Sequence, residues 1–396
     1  MSKRPESAVR ARVGASGVAG ALLGFSVALW LGSGAITLLV ALIAGAGLPM
    51  WWLEYRSVGG RRLSASAFEA LTGTALACVL VVGSILVQLN WGGMKGAVVA
   101  VLLLPALLLS AFVVLCSLVR PTLIGESIVL SGRCIRKWIG LQPADQDERT
   151  ALQGWLVKAT FLPLMLGSSL VWLDGVDRQA LEVDWLSWFT VPFFFMYAID
   201  TAFGAIGYMS ASKRIDAHIR SVDSTWLGWL SALVCYPPLS VFTLDVFLVC
   251  RHGGDWMEWL QAGSPESFVW GGVILFLTAI YTWSTVVFGP RFSNLTNRGV
   301  VTSGPYRWAK HPAYFAKNLS WWFISVPFLP VMGWRHAAFS CGALFCVNAI
   351  YYVRAMTEER HLMRDEAYVH YADWIQQHGL VARLLSKVAI LRNRAM

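Results

Sequence analysis

Long uncharged runs alternate with short polar pieces along most of this chain. Crossing the hydrocarbon of a bilayer takes about 20 apolar residues in a helix. Runs of that kind fall at 16–31, 35–53, 66–90, 96–119, 152–173, 185–210, 225–250, 267–289, 318–333 and 336–356. The pattern predicts an all-α, polytopic integral membrane protein with about ten transmembrane segments. Only "GSG" at 32–34 parts the first two runs, which leaves open one tilted helix or a short hairpin. "CYPPLS" at 235–240 breaks the seventh, because proline removes a backbone donor. The freed carbonyls must face protein or a water-filled cavity.

Composition supports the bilayer as solvent. Hydrophobic residues make up 56% of the 396 and charged residues 14%, where a soluble domain carries about a quarter charged. Charge also predicts orientation. With the N-terminus cytoplasmic and the segments alternating, the cytoplasmic pieces and Arg354 hold 27 of the 32 Lys and Arg. Such asymmetry is the positive-inside pattern, and it predicts that both termini are cytoplasmic. The net charge of +9 then reflects contact with anionic inner-leaflet lipids and needs no nucleic acid. The seven cysteines are scattered without a C-x-x-C, so neither a disulfide framework nor a metal site is expected. The basic lead before the first run reads as part of a retained anchor. The Ala/Gly/Arg-rich style suggests a bacterial inner membrane, with the endoplasmic reticulum as the alternative.

Three ionisable side chains fall inside predicted spans: Lys158, Asp200 and Asp245. A charge there is costly and marks a functional candidate. Asp200 and Asp245 are candidate substrate-binding residues, and satisfied interhelical hydrogen bonds explain them equally well. Lys158, near a segment end, is expected to snorkel. "NLT" at 294–296 matches a glycosylation pattern by chance, since it falls on the cytoplasmic side. "CIRKWIGL", within the 120–151 loop, suits a helix on the membrane surface or a solvated connector.

The densest chemistry lies in "PRFSNLTNRGVVTSGPYRWAKHPAYFAK", which carries five cations and no acid. The two segments that follow form a hairpin turned at "GWR", and the chain returns with "EERHLMRDEAYVHYADW". The hairpin should bring Lys310, His311 and Tyr314 close to Glu358, Glu359 and Arg360. That pocket would suit a polar cofactor meeting a lipid-embedded substrate. A basic headgroup-binding loop beside an unrelated acidic helix start fits the spacing as well.

"GPYRWAKHPAYFAKNLSWW" followed by "EERHLMRDEAYVHY" resembles the C-terminal signature of the isoprenylcysteine carboxyl methyltransferase family and its phospholipid methyltransferase relatives. That signature runs Gly-x-Tyr, Arg-His-Pro-x-Tyr, a helical hairpin, Glu-Glu-Arg and paired tyrosines. The resemblance covers roughly residues 290–375. It implies a cytoplasmic S-adenosylmethionine pocket with Gly304, Tyr306, Lys310, His311, Pro312 and Tyr314 on one wall. Glu358 and Glu359 would form the other. The sequence departs in having Lys310 for the usual Arg, a shorter interval from Glu359 to Tyr368, and no proline-rich close.

The resemblance implies an integral-membrane methyltransferase acting on a lipophilic acceptor, either a prenylcysteine-like carboxylate or a lipid headgroup. A carboxylate acceptor needs no general base. For an amine or hydroxyl acceptor, His311, Glu358 and Glu359 are the catalytic candidates. Residues 225–396 would form the methyltransferase-like module and 1–224 a transmembrane region of unassigned role. Two alternatives stand beside this reading. The "EERH" ending also resembles NADPH-dependent sterol reductases, for which Arg298, Arg307, Lys310 and Lys317 would hold the 2′-phosphate. A non-catalytic lipid binder or transporter built around Asp200, Asp245 and the proline break is the other.

Overall fold

The structure is a computed structural model describing residues 4–32, 34–55, 66–91, 96–119, 124–181, 185–244, 247, 255–380 and 383. Helices dominate it, and a two-residue antiparallel ribbon of β1 (Ser221–Val222) and β2 (Thr296–Asn297) makes the one sheet among these residues. In chain order the helices are α1 (Ala11–Trp30), α2 (Ala35–Glu54), α3 (Ala67–Trp91), α4 (Gly96–Val119), α5 (Glu126–Ile139), α6 (Gln146–Leu181) and α7 (Ser187–Met209). The second half supplies α8 (Trp226–Leu233), the single turn α9 (Trp256–Trp259), α10 (Pro265–Val286), α11 (Pro312–Ser325), α12 (Trp334–Leu362) and α13 (Glu366–His378).

Seven helices among the described residues are long and apolar enough to cross a membrane. They are α1, α2, most of α3, most of α6, α7, α10 and α12, and the apolar Leu103–Val119 stretch of α4 is shorter. That count covers the described residues, against about ten segments expected for the whole chain. The run at 225–250 does not form one long helix, because α8 ends at Leu233 and the Pro237-Pro238 break follows. The run at 318–333 also falls short, since α11 stops at Ser325 with Val326 in a left-handed conformation.

The first two runs form two helices in close contact. A Cβ on Gly20 would strike the Gly45 carbonyl, and one on Gly45 would strike Gly20. Small residues that let backbones touch are the means by which helices associate where lipid offers no hydrophobic drive. Gly73 of α3 and Gly132 of α5 meet in the same way.

One core cluster runs from Val13 and Ala21 on α1 through Leu42 on α2, Leu173 on α6 and Phe203 on α7 to Val286 at the end of α10. It lies directly beneath the loop that follows α10. Arg298 fastens that loop from inside. Its guanidinium donates to the carbonyls of Gly207 (2.7 Å), Phe292 (3.0 Å) and Ala217. Gly207 lies in the last turn of α7, where its carbonyl also accepts from the Ser210 N–H at 3.2 Å, so the buried guanidinium adds a charged donor at the negative end of the helix.

Candidate functional site

Pro312 opens α11 at the first helical position, where a missing N–H costs nothing. The His-Pro pair thereby sets His311 at the helix mouth and Tyr314 one turn in. The rings of His311 and Tyr314 stack with centroids 5.5 Å apart. Opposite them, the end of α12 presents two adjacent carboxylates. Tyr314 donates its hydroxyl to Glu358 at 2.8 Å. Glu359 accepts from Lys310 Nζ at 3.0 Å and pairs with His311 Nε2 at 3.0 Å. A carboxylate only accepts, so Nε2 carries the proton and Nδ1 faces away from Glu359. Nδ1 lies 3.9 Å from Glu358, too far for a hydrogen bond.

These residues rim a cleft that runs inward between α10, α11 and α12. Tyr306, Lys310, His311, Tyr314 and Glu358 line it, as does the 291–301 loop. Of the eight residues predicted to hold the cofactor, Gly304, Pro312 and Glu359 do not line the cleft. Gly304 is a turn residue with φ +59°, and a Cβ there would strike Val287. Glu359 acts from behind, bracing Lys310 and His311.

Tyr368 and Tyr371 of α13 close the cleft's outer side. The Tyr371 hydroxyl donates to the Tyr306 carbonyl at 2.7 Å, tying α13 to the Gly304–Arg307 turn. Burial pushes the phenols of Tyr306, Tyr368 and Tyr371 up, with nearby Glu358 or Glu359 adding to the effect. They stay protonated and serve as donors and aromatic surface.

The inner end holds Arg354, which the sequence reading did not assign to the site, and Lys317, which it assigned only under the reductase alternative. Arg354 donates to Asn294 Oδ1 at 2.8 Å, and its guanidinium lies 5.3 Å from the Tyr314 ring and 5.5 Å from the Tyr236 ring. Lys317 Nζ lies 5.0 Å from the Tyr281 ring and 5.7 Å from the Tyr351 ring. Among the described residues neither cation has a carboxylate within ion-pair distance. A signal for Arg354 existed: it precedes Glu358 by four positions and so shares its helix face. Asn294, set aside as a chance sequon, proves to be the partner of Arg354.

Asp200 lies on α7 behind this end. It accepts from Tyr281 at 2.7 Å and from Thr285 at 2.5 Å, both of which line the cleft. It does not line the cleft itself, so any effect on a ligand passes through those hydroxyls. Asp245 lies outside the described residues.

Three of the four cations considered for a 2′-phosphate, Arg298, Lys310 and Lys317, line the same cleft, but two of them are already engaged. Arg298 is spent on backbone carbonyls and Lys310 on Glu359. Arg307 stacks against Trp308, and Lys317 sits among aromatic rings at the inner end.

A helical membrane protein with a polar, aromatic-walled cleft where its chain leaves the bilayer is the class these features define. Residues 268–364 match the model of the isoprenylcysteine carboxyl methyltransferase (ICMT) family, an interval that includes α11 and α12 and both facing walls of the cleft. No curated protein and no solved structure matches the chain.

Proposed function

We propose that the cleft binds S-adenosylmethionine and that the protein transfers its methyl group to an anionic, lipophilic acceptor, most simply a carboxylate. The observation that carries this reading is the pairing of Arg354 and Lys317, both without a carboxylate partner, with the Glu358 rim in one cleft. The match to a family of carboxyl methyltransferases supports it.

The residues present suit a sulfonium cofactor. Aromatic faces and a carboxylate favour a cation, and the cleft offers Tyr306, Tyr314, Tyr368 and Tyr371 beside Glu358. When bound, the cofactor would supply an electrophilic methyl group. The protein's part is then placement. Arg354 and Lys317 would hold the acceptor's charge, while the tyrosines exclude water and line the approach. A carboxylate acceptor held by Arg354 and Lys317 would take the methyl group on oxygen as the sulfonium gives it up, so the chain would have no proton to move. His311 Nδ1, free of Glu359, is the base nearest the rim for an acceptor that must lose a proton.

The competing reductase reading would have to place the 2′-phosphate on Lys317 and Arg354 at the inner end, since Arg298 and Lys310 are engaged by protein groups. Titration of detergent-purified protein with S-adenosylmethionine and with NADPH tests the choice. Methyl-donor binding that is lost in Glu358→Ala supports the proposal. NADPH binding, or binding of neither, overturns it.

A further inference from the structure

A second cleft opens on the face that carries the basic loops, in the half of the chain the methyl-transfer reading leaves unused. The start of α6, the start of α5 and the 211–220 connector form its walls, with Lys158, Lys213, His218 and Arg220 among the lining residues. Two acids also line it. Lys213 neutralises Glu126 at 2.9 Å. Asp147 lies eleven positions before Lys158 on α6, about 16 Å along the helix axis. Arg220 leans on Asp216 at 3.7 Å. Lys158 is the cation left over: among the described residues its only contact is the Trp155 ring, 4.3 Å from Nζ.

One further polar atom of the lining is stranded. His218 Nδ1 is buried without a hydrogen-bond partner among the described residues, with Asp216 Oδ1 3.9 Å away. Burial, then the charge of Arg220, lowers the His218 pKa, which favours the neutral ring. An ammonium and an imidazole nitrogen lacking hydrogen-bond partners in one cleft call for an acceptor-rich anion. Such groups are costly to leave unsatisfied.

Depth points to the kind of anion. Helix α6 would extend about 54 Å, well beyond the roughly 30 Å of hydrocarbon. The residues after Lys158 are uncharged as far as Asp174, so Lys158 marks one edge of the apolar stretch. That edge is the level of lipid phosphates. Trp138, Ile139 and Leu141 at the end of α5 are exposed nearby in sequence to the same wall, as interfacial side chains would be.

We propose that this cleft binds a phosphate ester through Lys158 and His218, and that a membrane lipid headgroup is its source. Native mass spectrometry of the detergent-purified full-length protein tests it, with phosphatidylglycerol and diacylglycerol of the same acyl chains as probes. Phosphatidylglycerol should be retained and diacylglycerol should not. Lys158→Met should weaken retention about tenfold, as expected for loss of one charge-assisted hydrogen bond, and Lys158→Arg should largely keep it. His218→Phe removes the imidazole nitrogens and reads the same site should the lysine variant misfold. Displacement of the lipid by excess inorganic phosphate would assign the site to phosphate from any source, and resistance to it would assign the site to lipid. Equal retention of diacylglycerol, or unchanged retention in both Lys158→Met and His218→Phe, would overturn the proposal. Methyl-donor binding should be the same in all these variants, because the two clefts are separate.

Discussion

His311 Nε2 lies 3.0 Å from Glu359 Oε1, and the same carboxylate holds Lys310 at 3.0 Å. The entry to α11 is thus fastened to the end of α12 by one side chain. Since Glu359 does not line the cleft, its removal should act through the residues it braces. Glu359→Ala is expected to weaken methyl-donor binding by about tenfold, and Lys310→Ala by less. A double-mutant cycle on detergent-purified protein should give a coupling on the order of 1 kcal/mol for these half-exposed groups. Strict additivity would mean that the bridge does not position the cleft.

Arg354 should govern the acceptor more than the methyl donor. Arg354→Lys keeps a positive charge but loses the planar fork that matches a carboxylate. The expected outcome is a KM for the acceptor raised about tenfold with the methyl-donor Kd nearly unchanged. Arg354→Ala adds a stability cost of about 1–3 kcal/mol, because Asn294 Oδ1 loses its partner. Isothermal titration with the methyl donor, beside acceptor kinetics, separates the two effects. A methyl-donor Kd that moves as much as the acceptor KM would place Arg354 at the wrong end of the cleft.

Membrane residence and the pairing of two remote segments were both legible in the sequence. Uncharged runs report solvent, and the His-Pro helix start with the Glu-Glu helix end reports where polar side chains gather. Segment count was not legible, because hydropathy is blind to where a run folds back on itself. The run holding Pro237-Pro238 and the one ending at Val326 are both apolar without forming long helices. The inner half of the site was also hidden. Arg354 reads as an end-of-helix cation and Lys317 as one of five in a basic loop, until the hairpin turns both toward the Tyr351 ring. Gly304 has two readings, since its motif position suggests ligand contact while its φ and its neighbour Val287 give a conformational reason for glycine.

Cys134 offers a probe of the α3–α5 contact. It is buried on α5, and burial, then Glu148, pushes its thiol pKa up. The thiolate is the reactive form, so N-ethylmaleimide at neutral pH should label Cys134 only after unfolding. The sign for stability follows from linkage. The folded thiol ionises later than the unfolded one, so stability declines only as pH rises above about 8.5, where the unfolded chain begins to ionise. Gly132→Val, which puts branches against the Glu69 carbonyl, should expose the thiol and speed labelling. Peptide mapping by mass spectrometry reads both. Rapid labelling of the unmodified sequence would show that α5 does not pack against α3 as described.

Arg298 links the two halves of the chain at the cleft's edge, and its loss should be felt in both stability and binding. It is buried, and burial pulls its pKa down to about 9, still far enough above neutrality to keep the guanidinium charged. Its acceptors are carbonyls from three separate segments: the end of α7, the 217 turn and the loop after α10. Arg298→Met fills similar space but removes the charged donor from all three and leaves Gly207 with the Ser210 N–H, for an expected cost of about 3 kcal/mol. Arg298→Lys should recover only part, because one ammonium cannot reach donors and angles that a fork covers. Loosening Arg298 also frees Gly299 and Val300, which line the cleft, so methyl-donor affinity should fall in step with the thermal midpoint. A variant that loses stability while keeping full methyl-donor affinity would show that this loop does not shape the cleft.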